Sequence, residues 1–231
     1  MPSMLSPKIT GAIITVFIIV IGVVLLYPAL QQERPVDNVL LTFNIINSTN
    51  LPTWCNDLSR FLQDNKINST IFITGAMADT YPNCVTSLSN GNDIGSMRYS
   101  YDDIASISNY TAQLNQIEQG KAAVDKQGKL NSTIFRAPHG HVDQNIYSLL
   151  TRVHILADFS YTDHYNIYTD GLSGKTFYRF PMTSSKSSGN PNIPVMVTFY
   201  NYDSIKQIQD FINSGSHKFI TASEVNRDTT K

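Results

Sequence analysis

The sequence predicts an α/β domain with a mainly parallel sheet, preceded by one N-terminal transmembrane helix. Three observations carry this. From Val39 onward, short apolar bursts alternate with helix-length stretches, the pattern of a βα repeat. Ahead of them, residues 9–30 (ITGAIITVFIIVIGVVLLYPAL) run for 22 positions without a formal charge. Hydrophobic residues make up 42% of the 231, with 12 Tyr and 11 Phe, enough for a packed core and incompatible with wholesale disorder. That length suits one sizeable domain.

Residues 1–8 read as a short tail and 9–30 as the span. At about 1.5 Å per residue a helix of that length crosses a hydrocarbon core of about 30 Å. A cleavable signal has an apolar region of about 7–15 residues and a small-x-small cleavage site. Here the run is longer and Tyr27-Pro28-Ala29-Leu30 is a poor site, so a signal anchor is favoured over a cleaved signal. Lys8 precedes the span, while Glu33, Arg34 and Asp37 follow it. That is a weak positive-inside bias placing the body outside the cytoplasm. Cys55 and Cys84, the only cysteines, are compatible with one bridge in an oxidising compartment. Sequons start at Asn47, Asn68, Asn109 and Asn131, but with 20 Asn in the chain about four are expected by chance. They permit glycosylation without arguing for it.

Residues 31–37 (QQERPVD) form a polar linker. After it, strands are predicted at 39–43, 70–74, 93–95, 133–136, 154–159, 195–200 and 218–221, where apolar and β-branched residues cluster. Helices are predicted at 54–63, 76–88, 110–126, 144–151 and 204–213; the longest has Leu114, Ile117 and Val124 among its apolar positions. Residues 161–194, rich in Tyr, Gly and Ser, read as irregular. The net charge of −1 supplies no basic field for nucleic acid. Charged residues are 15% of the chain, against about 25% in typical domains. The Asn-, Ser- and Thr-rich remainder suits an extracytoplasmic surface and contact with sugars.

Five segments occur in an informative order: 39–45 (VLLTFNI), 66–75 (KINSTIFITG), 91–101 (GNDIGSMRYSY), 135–140 (FRAPHG) and 218–225 (KFITASEV). Together they resemble the NodB-homology polysaccharide deacetylases, carbohydrate esterase family 4, over residues 38–226, leaving 227–231 as a tail. The resemblance implies a distorted (β/α) barrel of about seven strands, with its active site at the carboxyl ends of the strands. The strand assignments put Asn44, Met97 and Arg136 at such ends.

The family, as the resemblance implies, removes acetyl groups from N-acetylated sugars with a divalent metal. One Asp and two His hold the metal, a second Asp acts as base, an Arg orients it and a late His protonates the amine. Here the base position is Asn44, a neutral amide, and the metal-binding Asp is Ile45. The two histidines are Met97 and Tyr101, a poor ligand for a hard cation and a phenol that ionises only near pH 10. The late His falls within Phe199-Tyr200-Asn201. Arg136, Pro138 and Gly140 remain, residues that can serve to hold a turn. No cofactor is expected on this reading.

Zinc enters only if the site is rebuilt, for which His139, His141 and Asp143 in one loop are the candidates. The alternative is that His139 replaces an aromatic residue and His141 is merely exposed. Asp158, Asp163 and His164 form another cluster, and Asp93, Asp102 and Asp103 flank the replaced histidines in sequence. Six tyrosines (161, 165, 168, 178, 200, 202) could stack on sugars. Arg136, His139, Tyr161 and Tyr200 are the substrate-groove candidates. The leading expectation is a membrane-anchored, extracytoplasmic protein that has lost deacetylase activity and binds a glycan or cell-envelope polysaccharide. A deacetylase or other carbon–nitrogen hydrolase with a rebuilt site, and a structural envelope protein, are the alternatives. The oligomeric state is not read from the sequence.

Overall fold

In the computed structural model, residues 37–46, 50–102, 107, 109–140, 142, 144–160, 166–169, 176–179 and 194–229 are described. The strands are β1 (Asp37–Ile45), β2 (Thr70–Ile73), β3 (Asp93–Ser96), β4 (Ile134–Phe135), β5 (Ala157–Asp158), β6 (Asn166–Thr169), β7 (Thr176–Arg179), β8 (Val195–Tyr200) and β9 (His217–Ile220). The helices are α1 (Leu51–Asp64), α2 (Gly75–Thr80), α3 (Pro82–Leu88), α4 (Tyr110–Gly128), α5 (Gln144–Arg152), α6 (Ile205–Ile212) and α7 (Ala222–Thr229). No helix among the described residues is long and apolar enough to cross a membrane; the predicted span, 9–30, lies outside them.

β1 is buried on both faces, as parallel strands covered by helices are. Its side chains alternate with period two. Val39, Leu41, Phe43 and Ile45 share a core with Leu51, Cys55 and Leu58 of α1 and with Cys84, Val85 and Leu88 of α3. Leu40 belongs instead to a second core with Phe72, Met97, Ile134, Phe159 and Met196, inside the curved sheet. Thr42 and Asn44 share the parity of Leu40 and are equally buried.

The strand order is β6-β7-β5-β4-β3-β2-β1-β8, with β9 also paired to β1. β8 runs parallel to β1 from Val39↔Val195 to Asn44↔Tyr200. On the other edge β1 meets β9 over its first half and β2 over its second, in register Asp37↔His217 and Thr42↔Thr70. Among the described residues β8 pairs with β1 alone. Among the described residues the domain is therefore an α/β half-barrel whose sheet has nine strands, where the sequence suggested a distorted barrel of about seven parallel strands.

Three local expectations are corrected. The helix predicted over 76–88 is two helices, because Pro82 lacks the N–H that would continue the first and takes the N-terminal turn of α3. Thr74, predicted as strand, caps α2 by accepting from the Met77 backbone N–H at 3.4 Å. The stretch read as irregular contains the antiparallel pair β6–β7, and a further helix, α7, follows β9.

Two glycines set the position of the segment after β3. A side chain on Gly120 of α4 would begin 2.4 Å from the Arg98 carbonyl carbon, and one on Gly75 would begin 2.8 Å from the Gly120 Cα. The bare backbones allow Gly75 N–H to donate to Arg98 O at 2.6 Å, Ala76 N–H to Tyr99 O at 2.9 Å and Tyr99 N–H to Gln116 O at 3.0 Å. Residues 98–99 are thereby fixed against both α2 and α4.

Cys55 of α1 and Cys84 of α3 are bonded, with Cα atoms 5.4 Å apart. The bridge ties together two helices that cover the outer face of β1. Closing a loop of that size is worth about 3–4 kcal/mol in chain entropy. The Cys55→Ala/Cys84→Ala variant is expected to lose about that much stability in urea unfolding, with a steeper denaturant slope because the freed unfolded chain exposes more surface. A loss under about 1 kcal/mol would mean that the bridge is not formed in the native protein.

Candidate functional site

The strands β1, β3, β4 and β8 end at Ile45, Ser96, Phe135 and Tyr200, and the residues just beyond these ends meet at one rim. At its centre lies Arg136, one residue past β4 and 0% exposed. Its Nη1 donates to Asn44 Oδ1 at 2.7 Å, to Thr42 Oγ1 at 3.1 Å and to Thr198 Oγ1 at 3.5 Å. Nε donates to Phe159 O at 2.9 Å and Nη2 to Met196 Sδ at 3.0 Å. The guanidinium carbon stands 4.2 Å from the centroid of the Phe72 ring. One side chain thus joins β1, β2, β8 and the segment after β5. Arg136 has no surface to offer a ligand, which moves it from the groove to the core.

The four positions where a metal site would stand hold no such set. Asn44 is buried and its amide oxygen is occupied by Arg136. Ile45 points the other way, into the helix-covered core, and has no donor atom. Met97 is buried among Leu40, Phe72, Ile134 and Phe159, with Ile46 and Tyr101 packed on the same cluster. An amide, an alkyl group, a thioether and a phenol do not make a site for a hard divalent cation. The residues present do not fit the family's metal.

Nor do the described residues supply a replacement. No group of three His, Cys, Asp or Glu side chains among them could hold a metal. His139 is exposed, with Nε2 3.2 Å from the Tyr101 carbonyl oxygen, while His141 and Asp143 lie outside the described residues. Asp158 is buried and its Oδ1 accepts from Ser160 N–H at 2.9 Å and from the Ser160 hydroxyl. That hydroxyl in turn accepts from Ala137 N–H at 2.8 Å, so Asp158 braces the turn after β4. Asp163 and His164 lie outside the described residues. Asp93 does not flank the replaced histidines: it opens β3, at the opposite end of the strand, where Oδ2 accepts from Ser223 N–H at 2.7 Å.

The rim itself is aromatic. Tyr101 meets His139 with ring centroids 4.7 Å apart, and Tyr200 and Tyr202 stack at 5.0 Å and 7°. Tyr202 is 68% exposed. Burial pushes the Tyr101 phenol above its ordinary value; the phenols of Tyr200 and Tyr202 add to this, and the charge of Arg136 opposes it. His139 turns the chain with φ +56°, the left-handed conformation that L residues seldom take. Tyr161, the remaining groove candidate, lies outside the described residues.

Sequence reasoning gave no role to the side chains of Asn201, Asp203, Thr42 and Thr198. Asn201 is buried; its N–H donates to Asn44 O at 3.1 Å and its Oδ1 accepts from Ile46 N–H at 2.9 Å. Its Nδ2 is sealed from solvent without a hydrogen-bond partner among the described residues. Asp203 holds the turn, with Oδ2 accepting from Tyr200 N–H at 2.7 Å and its carbonyl accepting from Trp54 Nε1 at 2.9 Å. The usable signal was the polar run Tyr200-Asn201-Tyr202-Asp203 at the end of an apolar strand.

Two outcomes follow. Arg136→Ala leaves the acceptors of Thr42, Asn44 and Phe159 buried without their donor and opens a cavity, for a loss of about 3 kcal/mol or more in urea unfolding; a loss below about 1 kcal/mol would remove Arg136 as the central tie. Folded Tyr101 keeps its proton above the value of 10.0 at which an unfolded tyrosine loses it. The unfolded chain therefore binds fewer protons than the folded one above about pH 10, and stability falls as pH rises from there. In Tyr101→Phe that part of the alkaline loss is absent, so the stability difference between variant and parent shifts in the variant's favour as pH climbs.

The family model for polysaccharide deacetylase matches residues 31–156. No curated protein matches. Among solved structures, the peptidoglycan deacetylase PdaC from Bacillus subtilis aligns with a TM-score of 0.57 and 14% identity, over 86% of this chain and 94% of that one. BA3943, a CE4 family pseudoenzyme from Bacillus anthracis, aligns with a TM-score of 0.59 and 11% identity, over 84% of this chain and 66% of that one. A BA3943 mutant with restored enzymatic activity aligns with a TM-score of 0.60 and 10% identity, over 84% and 68%. These likenesses share the half-barrel of parallel strands described above, and with the sequence match they support one conclusion: the chain belongs to the polysaccharide deacetylase family.

Proposed function

We propose that this protein is a membrane-anchored, extracytoplasmic member of the family that binds a carbohydrate of the cell envelope without deacetylating it. The observation that carries the reading is the replacement of the ligand-and-base set by an amide, an alkyl group, a thioether and a phenol that are engaged elsewhere in the structure. Asn44 is spent on Arg136, Ile45 faces the helices and Met97 fills the interior. A water in that space has no carboxylate at position 44 to take its proton and no ligand set to bind the ion that would acidify it. A family member described as a pseudoenzyme shares the fold, so loss of activity has precedent within it.

Binding is supported by the rim. Tyrosine rings offer flat faces for sugar rings and phenolic hydroxyls at low entropic cost. Tyr200 and Tyr202 are stacked and Tyr202 is largely exposed. The bonded Cys55–Cys84 pair suits an oxidising compartment, and the uncharged run at 9–30 suits an anchor.

The protein is expected to retain no stoichiometric zinc after exposure and dialysis, read by mass spectrometry, and to release no acetate from N-acetylated oligosaccharides with or without added metal. Asn44→Asp alone is expected to stay inactive, since one carboxylate beside Arg136 leaves the metal positions unchanged. Glycan binding should survive chelator and weaken about three- to tenfold in Tyr202→Ala, the worth of one aromatic contact. A chelator-resistant zinc ion with acetate release would overturn the inactive reading. Failure to bind any envelope glycan would leave only a structural role.

A further inference from the structure

Three asparagines that open Asn-x-Ser/Thr tripeptides, at 68, 109 and 131, fall within the described residues, and all three are exposed. Composition alone accounts for the tripeptides, but not for the way these amides are held. Asn109 is the N-cap of α4, with Oδ1 accepting from Ala112 N–H at 3.1 Å. Asn131 Oδ1 accepts from Lys121 Nζ at 2.8 Å. A backbone N–H and an ammonium only donate, so in both cases the oxygen is the atom turned to the protein. Asn68, in the segment before β2, sets its Oδ1 against Gly91, where a side chain would begin 3.2 Å from it. Among the described residues none of the three amide nitrogens donates a hydrogen bond. Asn65 and Asn92, which open no such tripeptide, do the reverse: their Nδ2 atoms donate to Phe61 O and Leu88 O, each at 2.8 Å.

We propose that Asn68, Asn109 and Asn131 are N-linked glycosylation sites. This rests on the extracytoplasmic placement proposed above and is independent of glycan binding at the rim. In the transfer, Nδ2 attacks the anomeric carbon of an oligosaccharide carried on a lipid phosphate. The bond from that carbon to nitrogen forms and its bond to the phosphate oxygen breaks; the lipid phosphate leaves with the electron pair and the amide gives up one proton. The linked amide keeps its carbonyl oxygen. The α4 cap and the Lys121 contact therefore survive, and the sugar joins at the atom the fold leaves unused. At Asn68 transfer precedes folding, because Thr70, which completes the tripeptide, is 0% exposed and its hydroxyl accepts from Ala222 N–H at 2.9 Å. The sugars add hydration to a surface that a net charge of −1 protects little from self-association.

Peptide mass spectrometry of the full chain, isolated from its own cells, tests this. The peptides holding Asn68, Asn109 and Asn131 are each expected to carry the added mass of whole sugar residues. Asn68→Gln, Thr111→Ala and Asn131→Asp, expressed in the same cells, should each remove the sugar from its own peptide and leave the other two modified. Thr111 is exposed and Thr111→Ala leaves Asn109 in place as the cap, while Asn131→Asp keeps an oxygen for Lys121, so the loss of sugar is not a loss of fold. An unmodified asparagine at any one of the three positions of the parent chain overturns the inference, since all three amides are held alike. Sugar that persists on the Asn109 peptide in Thr111→Ala overturns it too, because the attachment would then not depend on the tripeptide. Three unmodified asparagines in a chain whose Cys55–Cys84 bond is formed sink the inference and leave the extracytoplasmic placement standing. Three unmodified asparagines with two free thiols remove that placement as well.

Discussion

A guanidinium placed inside a sheet with no exposure costs several kcal/mol to strip of water, and it persists only where its donors are occupied. Arg136 meets that condition through groups drawn from four parts of the sheet: Thr42 and Asn44 on β1, Thr198 and Met196 on β8, Phe159 after β5, and the Phe72 ring on β2. Each of these must hold its place for the cation to be tolerated. The curvature of the half-barrel at this level and the neutrality of position 44 are thus bound to one residue. Thr42 and Thr198 hydroxyls also meet each other at 2.7 Å, so the tie between β1 and β8 continues beneath the guanidinium.

The same arrangement explains how a family centre can lose its ligands and stay folded. A set of carboxylates and imidazoles around a cation is costly once any part of it goes, since the remainder is left buried and unpaired. Here the replacements are consistent with one another. An amide accepts from the arginine, an alkyl group joins the helix-side core, and a thioether joins the interior. Their support is backbone: residues 98–99 are fixed by hydrogen bonds to α2 and α4 that only the glycines at 75 and 120 permit. The backbone at 98–99 is thus held independently of the side chains it presents.

Above that closed centre the rim is built from different material and answers to different constraints. Tyr101 and His139 cover one side and Tyr200 and Tyr202 the other, on loops held by Asp203, Asn201 and Trp54. Surface that contacts a ligand can thus vary without disturbing Arg136.

Read alone, the chain carries the α/β class, the order of the main strands and helices, and the identity of the side chains at 44, 45, 97 and 101, which are neither carboxylate nor imidazole. Periodicity and side-chain chemistry are local properties and can be read one segment at a time. That reading could not separate α2 from α3 without weighing Pro82 against an otherwise helical run, nor find β6 and β7, a local antiparallel pair of four-residue strands inside a stretch rich in Tyr, Gly and Ser. The fold was needed to show that Arg136 is wholly buried, which core each face of β1 meets, and that Asp93 opens β3 at the end away from the rim. It also brought Tyr101 to Tyr200 and Tyr202, about a hundred residues on. Burial and proximity depend on how strands from distant parts of the chain are registered, and one residue of register reverses which face a side chain takes.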